Sequence, residues 1–354
     1  MSRFLSGEAS RLSPYTPGEQ PKDKPYLKLN ANENPFPPSP EALKFISQAE
    51  GVKLNLYPDA ACAMLHDAIA EFYGLQREQV ISGNGSDEIL TFALRAFCGE
   101  GKGVAFADIT YSFYKVWVQL YGLESTIIPL REDLTLSVDD YMGVHSTIIL
   151  CNPNAPTGMA IPRTEIQRLL EADRERLVIV DEAYVDFGGE SCAALVNDYD
   201  NLLVVQTMSK SRSLAGARVG FALGNAELIA DLNRVKFSNN PYNINYLSLL
   251  AGTAAMRDKE YFNNCCRAVC EARSWTAGEL ENMGFTVLPS CTNFLFVRSD
   301  RITGEALYHG LKEHGVLVRW FDADRIRDYV RITIGNMGQM KHLTEKIYLV
   351  LEAQ

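Results

Sequence analysis

An α/β fold is predicted, with a large unit on a mostly parallel central sheet and a smaller α+β unit after it. Three observations predict it. From about residue 58 to 245, short apolar runs alternate with helix-like segments. Those runs are apolar throughout, as strands buried on both faces are. After about 245 the pattern changes to strands grouped with fewer helices. A chain of 354 residues is long enough for two units. The reading divides it into 1–48 (an N-terminal arm with part of the small unit), 49–245 (the large unit) and 246–354 (the small C-terminal unit).

The elements follow in order. Residues 1–40 are rich in Pro and Asn, "LSPYTPGEQPKDKPY" and "NANENPFPPSP", and read as an extended arm. Tyr15, Tyr26, Leu27, Leu29 and Phe36 give that arm something to bury. "DAACAMLHDAIAEFYG" reads as a helix with Gly74 at its C-cap, and "SDEILTFALRAFC" as a second. Strands are expected at "GVAFAD" (103–108), "STIIPL" (125–130), "TIILCN" (147–152), "LVIVDEAY" (177–184) and "NLLVVQT" (201–207), with a helix at 163–172. A long helix is expected over 245–283. Strands follow at "FTVLP", "FLFVR", "GVLVRWF" and "YVRITIG", and a closing helix at 337–351.

Composition narrows the function. The net charge of −10 argues against a partner that is nucleic acid, because phosphate binding needs a basic surface. The eight cysteines show no paired framework, and the cluster Cys265, Cys266, Cys270 has no histidine near it in sequence. Free thiols suit a reducing, cytoplasmic setting. "MSRFLSGEAS" has no apolar h-region, and no run approaches the length of a membrane span.

In open α/β sheets ligands sit beyond the carboxyl ends of the strands. The segments there are "GNGSDE" (83–88), "DITYSFY" (108–114), "CNPNAPTG" (151–158), "DEAYVDF" (181–187) and "TMSKSRS" (207–213). Asp181 ends a buried run, where a lone carboxylate is costly unless it meets a positive partner or caps a loop. Lys210 stands among small and hydroxyl residues, and desolvation there would lower its pKa and free the amine to attack an aldehyde. The helix start at Gly85, Ser86 and Asp87 offers free amides to a phosphate, although the fingerprint GxGxxG fails at Glu88. Asp87 and Glu88 are expected to point away from such a group. Together these features converge on pyridoxal 5'-phosphate, which needs a lysine for its aldehyde, an acid for its ring nitrogen and a phosphate cradle. Thr207, Ser209 and Arg218 add hydroxyls and a cation to the cradle. Tyr111 is placed to stack on the ring, and Tyr184 to reach its 3-oxygen.

The same segments, with "YPD" (57–59), "NFLFV", "VLVRWF" and "YVRITIG", run through nearly the whole chain in one order. In this the chain resembles the fold-type-I aminotransferases, and within them the subgroup acting on histidinol phosphate. The resemblance implies a homodimer with small-molecule partners: an amino acid and a phosphorylated amino alcohol. It implies amino transfer between glutamate/2-oxoglutarate and histidinol phosphate/imidazole-acetol phosphate, with Lys210 as the base, Asp181 on the pyridinium and Tyr184 on the 3-oxygen. Ser86, Ser209 and Arg218 would hold the cofactor phosphate, and Tyr57 would reach it from a neighbouring subunit. Arg331, assisted by Arg319, would bind the substrate's anionic group, with Tyr15 and Asn32 lining the pocket. The family pattern has Asn directly before "PTG", where this chain has Ala155. Either Asn154 or Asn152 supplies that donor, or Tyr184 works alone. An aromatic amino-acid aminotransferase and a decarboxylase of the same fold are the alternatives.

Overall fold

A computed structural model describes residues 3–7, 9–13, 15–16, 18–47 and 54–353. Pro14 and Pro17 of the arm, and the expected boundary at 48 and 49, lie outside the described residues. In chain order the elements are β1 (Leu27–Lys28), α1 (Pro40–Ser47), α2 (Ala63–Tyr73), β2 (Val80–Gly83), α3 (Ser86–Phe97), β3 (Val104–Ala107), α4 (Phe113–Tyr121), β4 (Ser125–Ile128) and β5 (Thr147–Cys151). Next come α5 (Arg163–Ala172), β6 (Val178–Asp181), β7 (Leu202–Thr207), β8 (Gly220–Gly224), α6 (Ala226–Asn239), α7 (Tyr246–Arg257) and α8 (Lys259–Asn282). The last part holds β9 (Phe285–Val287), β10 (Phe294–Ser299), α9 (Gly304–Glu313), β11 (Val316–Leu317), β12 (Arg319–Trp320), β13 (Tyr329–Thr333) and α10 (Met337–Glu352).

Seven strands form the large sheet in the order β2-β8-β7-β6-β5-β3-β4. All its pairings are parallel except the two made by β8, which runs against β7 and β2. Period-2 alternation explains the uniformly apolar runs. Ile148, Leu150, Val178, Val180, Leu202 and Val204 pack with α2, α5 and α7. Ile149, Ile179, Leu203 and Val205 share the opposite cluster with α3, α4 and α8. β4 departs from the expectation of two buried faces: Ser125, Thr126 and Ile127 are exposed because the strand is an edge.

The smaller sheet is antiparallel, in the order β12-β13-β10-β9, and β1 of the arm pairs in parallel with β11. The expected strand "GVLVRWF" is therefore two strands that serve different sheets. The single helix expected over 245–283 is also two. Asp258 ends α7 and caps α8 by accepting the Tyr261 N–H at 3.2 Å, which offers the backbone an alternative to continuing the helix. α7 packs on α1 and α2, not on the small sheet.

The start of α3 meets the end of the β7–β8 turn at one glycine. A Cβ on Gly220 would lie 2.2 Å from the Ser86 backbone nitrogen. Only a hydrogen fits, so Gly220 sets how closely β8 approaches the helix start. Gly220→Ala should destabilise the fold by about 1–3 kcal/mol, as overpacking does, and thermal unfolding would show it. An unchanged melting temperature would mean that the helix start yields freely.

Candidate active site

Two adjoining cavities open at the carboxyl ends of the large sheet's parallel strands. One, of about 780 Å³, is walled by the arm, α4 and the small sheet's β12 and β13. The other, of about 100 Å³, is walled by Ser86, Asp87, Tyr111, Cys151, Asp181, Tyr184, Thr207, Ser209, Lys210 and Arg218. Tyr111, Tyr184 and Lys210 line both.

Asp181 ends β6, fully inside, at 3% exposed. It accepts hydrogen bonds from the Tyr114 hydroxyl at 2.7 Å and the Ala183 N–H at 3.2 Å. No cation pairs with it among the described residues. Burial pushes its pKa up to about 6, against the pull of those two donors. Tyr114 is a candidate site residue that the sequence alone did not single out. Its signal lies in "DITYSFY": a buried carboxylate needs a donor, and residue 114 follows Tyr111 by one helical turn.

Lys210 follows β7, the neighbour of β6, and walls the same small cavity as Asp181. Its ammonium donates to the Ala31 carbonyl at 3.3 Å and lies 5.8 Å from the Tyr184 ring centroid. Desolvation, then the Arg331 cation, lowers its pKa to about 8. The Asn34 amide donates to the Lys210 carbonyl at 2.9 Å, which ties the arm to this turn.

The segment expected to cradle a phosphate lies at the start of α3. Gly85 has φ +86°, and a Cβ there would sit 2.6 Å from Arg218 Nη2. Ser209 accepts from the Thr207 hydroxyl at 3.0 Å and from Arg218 at 3.3 Å. Asp87 does not point away as expected. It accepts from the Tyr111 hydroxyl at 3.0 Å and pairs with Arg218 at 3.3 Å, so two donors hold it against the cavity. Glu88 does turn away, to the Asn84 N–H and the Asn243 amide.

One expectation, an asparagine donor replacing the one absent at Ala155, finds no place here. Asn154 is spent within its own loop: its carbonyl accepts from Thr110, and its amide donates to Ile109 and Thr157. Asn152 is spent likewise on both polar atoms of the Ile161 backbone. Neither asparagine takes the place of a donor at Ala155, which lines the larger cavity. Tyr57 is 79% exposed, stacks on Tyr242 at 4.4 Å and touches neither cavity.

The larger cavity is cationic at one wall. Arg319 and Arg331 are direct cross-strand partners on β12 and β13, and both face it. Neither has a carboxylate partner among the described residues. Arg331 donates to the Asn30 carbonyl at 3.2 Å, and its buried Nε has no acceptor. Tyr15 closes this cavity from the arm and packs, tilted by 38°, against the Phe113 ring at 4.8 Å.

The profile of the aminotransferase class I and II family matches residues 24–347. The chain belongs to this family. A histidinol-phosphate aminotransferase of Clostridium acetobutylicum is 46% identical over 98% of this chain and 99% of its own. One from Marinomonas sp. is 48% identical over 97% and 98%. Among solved structures, a histidinol-phosphate aminotransferase of Sinorhizobium meliloti in complex with pyridoxal 5'-phosphate aligns at TM-score 0.89 over 100% of this chain and 99% of that one, at 22% identity. An L-threonine-O-3-phosphate decarboxylase of Porphyromonas gingivalis aligns at TM-score 0.78, at 23% identity, over 92% and 99%, so the fold is common to more than one chemistry.

The aminotransferase cofactor, pyridoxal 5'-phosphate, fits these residues. A buried, cation-free carboxylate suits a protonated ring nitrogen. A poised amine suits the aldehyde, and a helix start beside Ser209 and Arg218 suits the phosphate. Lys210 should react as a free amine with a midpoint near pH 8. Arg331→Gln removes a repelling cation and should move that midpoint up. The pH dependence of the apoprotein's rate of cofactor uptake reads both. A midpoint that stays put or falls in the variant would show that Arg331 does not act on Lys210.

Proposed function

We propose that this chain moves an amino group between glutamate/2-oxoglutarate and histidinol phosphate/imidazole-acetol phosphate, one half-reaction after the other in a single site. The observation that carries it is the Arg319–Arg331 pair. Like charges directly opposite on antiparallel strands destabilise a sheet, and Arg331 keeps a buried Nε without an acceptor. An anion entering the cavity relieves both. A guanidinium pair takes a phosphate or a carboxylate equally well, which is what a site serving both substrates in turn requires. The names of relatives 46% and 48% identical over nearly their whole length support the choice of histidinol phosphate.

When bound, the cofactor supplies an aldehyde and an electron-withdrawing ring. The chain does the rest. Asp181 would offer its negative charge to the ring nitrogen, and Tyr114 holds that carboxylate in place. Ser86, Thr207, Ser209 and Arg218 would anchor the phosphate, and Tyr111, bonded to Asp87, would pack on the ring. Tyr184 offers its hydroxyl to the ring's oxygen. The Lys210 amine takes and returns the proton at the substrate's Cα, a role suited to a group whose pKa lies near neutrality.

The reading extends to a cytosolic homodimer. Leu54, Leu56, Tyr57, Tyr242, Tyr246 and Leu247 expose large apolar side chains, and the Tyr57–Tyr242 stack joins the two segments. A partner copy would cover them and receive Tyr57 at its own cofactor phosphate. The packing of α7 favours ending the large unit at Arg257, so that the small unit begins with α8. All eight cysteines are free, as a reducing compartment favours. No helix among the described residues is long and apolar enough to cross a membrane.

Titrating the holoenzyme with histidinol phosphate should convert its visible band, and Lys210→Ala should lack that band. A band that persists in Lys210→Ala would sink the lysine assignment. Arg331→Gln should weaken histidinol phosphate binding roughly 10- to 100-fold, the loss of a charged hydrogen bond of about 1.5–3 kcal/mol. Faster turnover of phenylalanine than of histidinol phosphate would favour an aromatic aminotransferase. Release of carbon dioxide without use of a keto acid would favour a decarboxylase.

A further inference from the structure

Asn32 is built into the site more rigidly than a pocket-lining side chain needs. It is 1% exposed, and its backbone is left-handed at φ 54°, a conformation that asparagine tolerates better than most residues. Its backbone N–H donates to the Thr333 hydroxyl at 2.9 Å, and its carbonyl accepts from the Asn293 amide at 2.9 Å. Thr333 sits at the end of β13, and Asn293 just before β10, so the small sheet grips Asn32 from two sides.

These bonds determine which way protons point. The Thr333 hydroxyl oxygen already accepts from the Asn32 N–H, so its own proton is free to go to Asn32 Oδ1, at 3.1 Å. That bond makes Oδ1 an acceptor and turns the amide's N–H toward Tyr184, where Nδ2 lies 2.9 Å from the hydroxyl oxygen. The Tyr184 oxygen therefore accepts from Asn32, and its own proton must go elsewhere. The open side is the cavity. Neither nearby asparagine competes with Asn32 here. Asn152 and Asn154 are spent in their loop, and Ala155 and Pro156 line the cavity without a donor.

We propose that Asn32 is a positioning residue, not a substrate ligand: oriented by Thr333, it holds the Tyr184 hydroxyl as an obligatory donor toward the cofactor's ring oxygen. The hydrogen bond also makes Tyr184 a stronger donor. Burial pushes this phenol up to about 12, while Arg331 and then Asn32 pull it down. The other titratable groups facing Tyr184 are Lys210, Asp181, Cys151 and Tyr111. Because Thr333 and Asn293 belong to the small sheet's strands and Tyr184 to the loop after β6, the donor is set only where the two units meet. The inference rests on the cofactor reading above.

The test follows the pH midpoint of the holoenzyme's visible band. A hydroxyl donating to a negative ring oxygen favours the bound cofactor's proton-free form, so weakening that donor raises the midpoint. Asn32→Ala and Thr333→Val should each raise it by about 0.5–1 pH unit, a three- to tenfold change in the proton equilibrium. Thr333→Ser keeps the hydroxyl and should restore the parent midpoint. In a Tyr184→Phe background, Asn32→Ala should add no further shift. If Asn32→Ala yields no folded holoenzyme, Thr333→Val decides alone. The proposal is overturned by an unmoved midpoint in the folded variants, or by an equal shift with Tyr184 already replaced. Absence of a visible band in the parent protein would instead overturn the cofactor reading.

Discussion

The structure turns on a carboxylate that the chain does not neutralise. Asp181 is buried at the end of β6 with two hydrogen-bond donors and, among the described residues, no cation. Such a group is costly to a fold on its own terms. Its neighbours are arranged to keep it rather than remove it: Tyr114 fixes one oxygen, and the strand's exit into Ala183 presents a backbone N–H to the other. A fold that retains this arrangement is complete only when something positive and flat lies against it. The aromatic wall of Tyr111 and Tyr184 and the poised amine of Lys210 say what shape that is.

Strand adjacency is what brings acid and amine together. β6 and β7 are parallel neighbours in register from Val178↔Leu202 to Asp181↔Val205, so their carboxyl ends open on the same side. Lys210 then needs only the short turn after Thr207 to face the cavity that Asp181 floors. β8 reverses direction and returns Arg218 and Gly220 to the same end, against the start of α3. The connection into this antiparallel strand thus places Arg218 beside the helix start proposed to hold the cofactor phosphate.

The sequence was legible wherever a local rule decided the outcome. Apolar runs announced strands, and the residues after them announced the site, because a strand's end is where a doubly covered sheet meets solvent. It was less legible where a distant partner decided. "GVLVRWF" divides because Leu27 and Lys28 of the arm claim β11 while β13 claims β12, and no local pattern records that choice. The break at Asp258 was readable in principle, since Asp before "KEYF" is a capping pattern, but the apolar periodicity on both sides masked it. Asp87 was misplaced for want of Tyr111 and Arg218, and Asn154 for want of Ile109 and Thr110. In each case a side chain's direction is set by a bond to a residue remote in sequence.

The paired arginines pose a problem of discrimination that the rest of the cavity must solve. A guanidinium pair in a partly enclosed site attracts any small anion, and the chain's net charge of −10 does little to oppose so local a field. Charge alone cannot tell a carboxylate from a phosphate ester, so selectivity must come from what lies beyond the arginines. There the wall is aromatic and comes from three places: Tyr15 from the arm, Tyr111 from the turn before α4, and Trp320 and Phe321 from the small sheet. Phe321 also lies 5.4 Å from the Arg319 guanidinium and 5.6 Å from that of Arg331, so the ring that shapes the pocket also orients the cations. A substrate with a flat ring on one end and an anion on the other fills both parts of this site. On the proposed reading, glutamate would fill only the charged part and would be held chiefly by the arginines. A division of labour between a general anion clamp and a specific aromatic wall would let one cavity accept the two unlike substrates of the proposed reaction in turn.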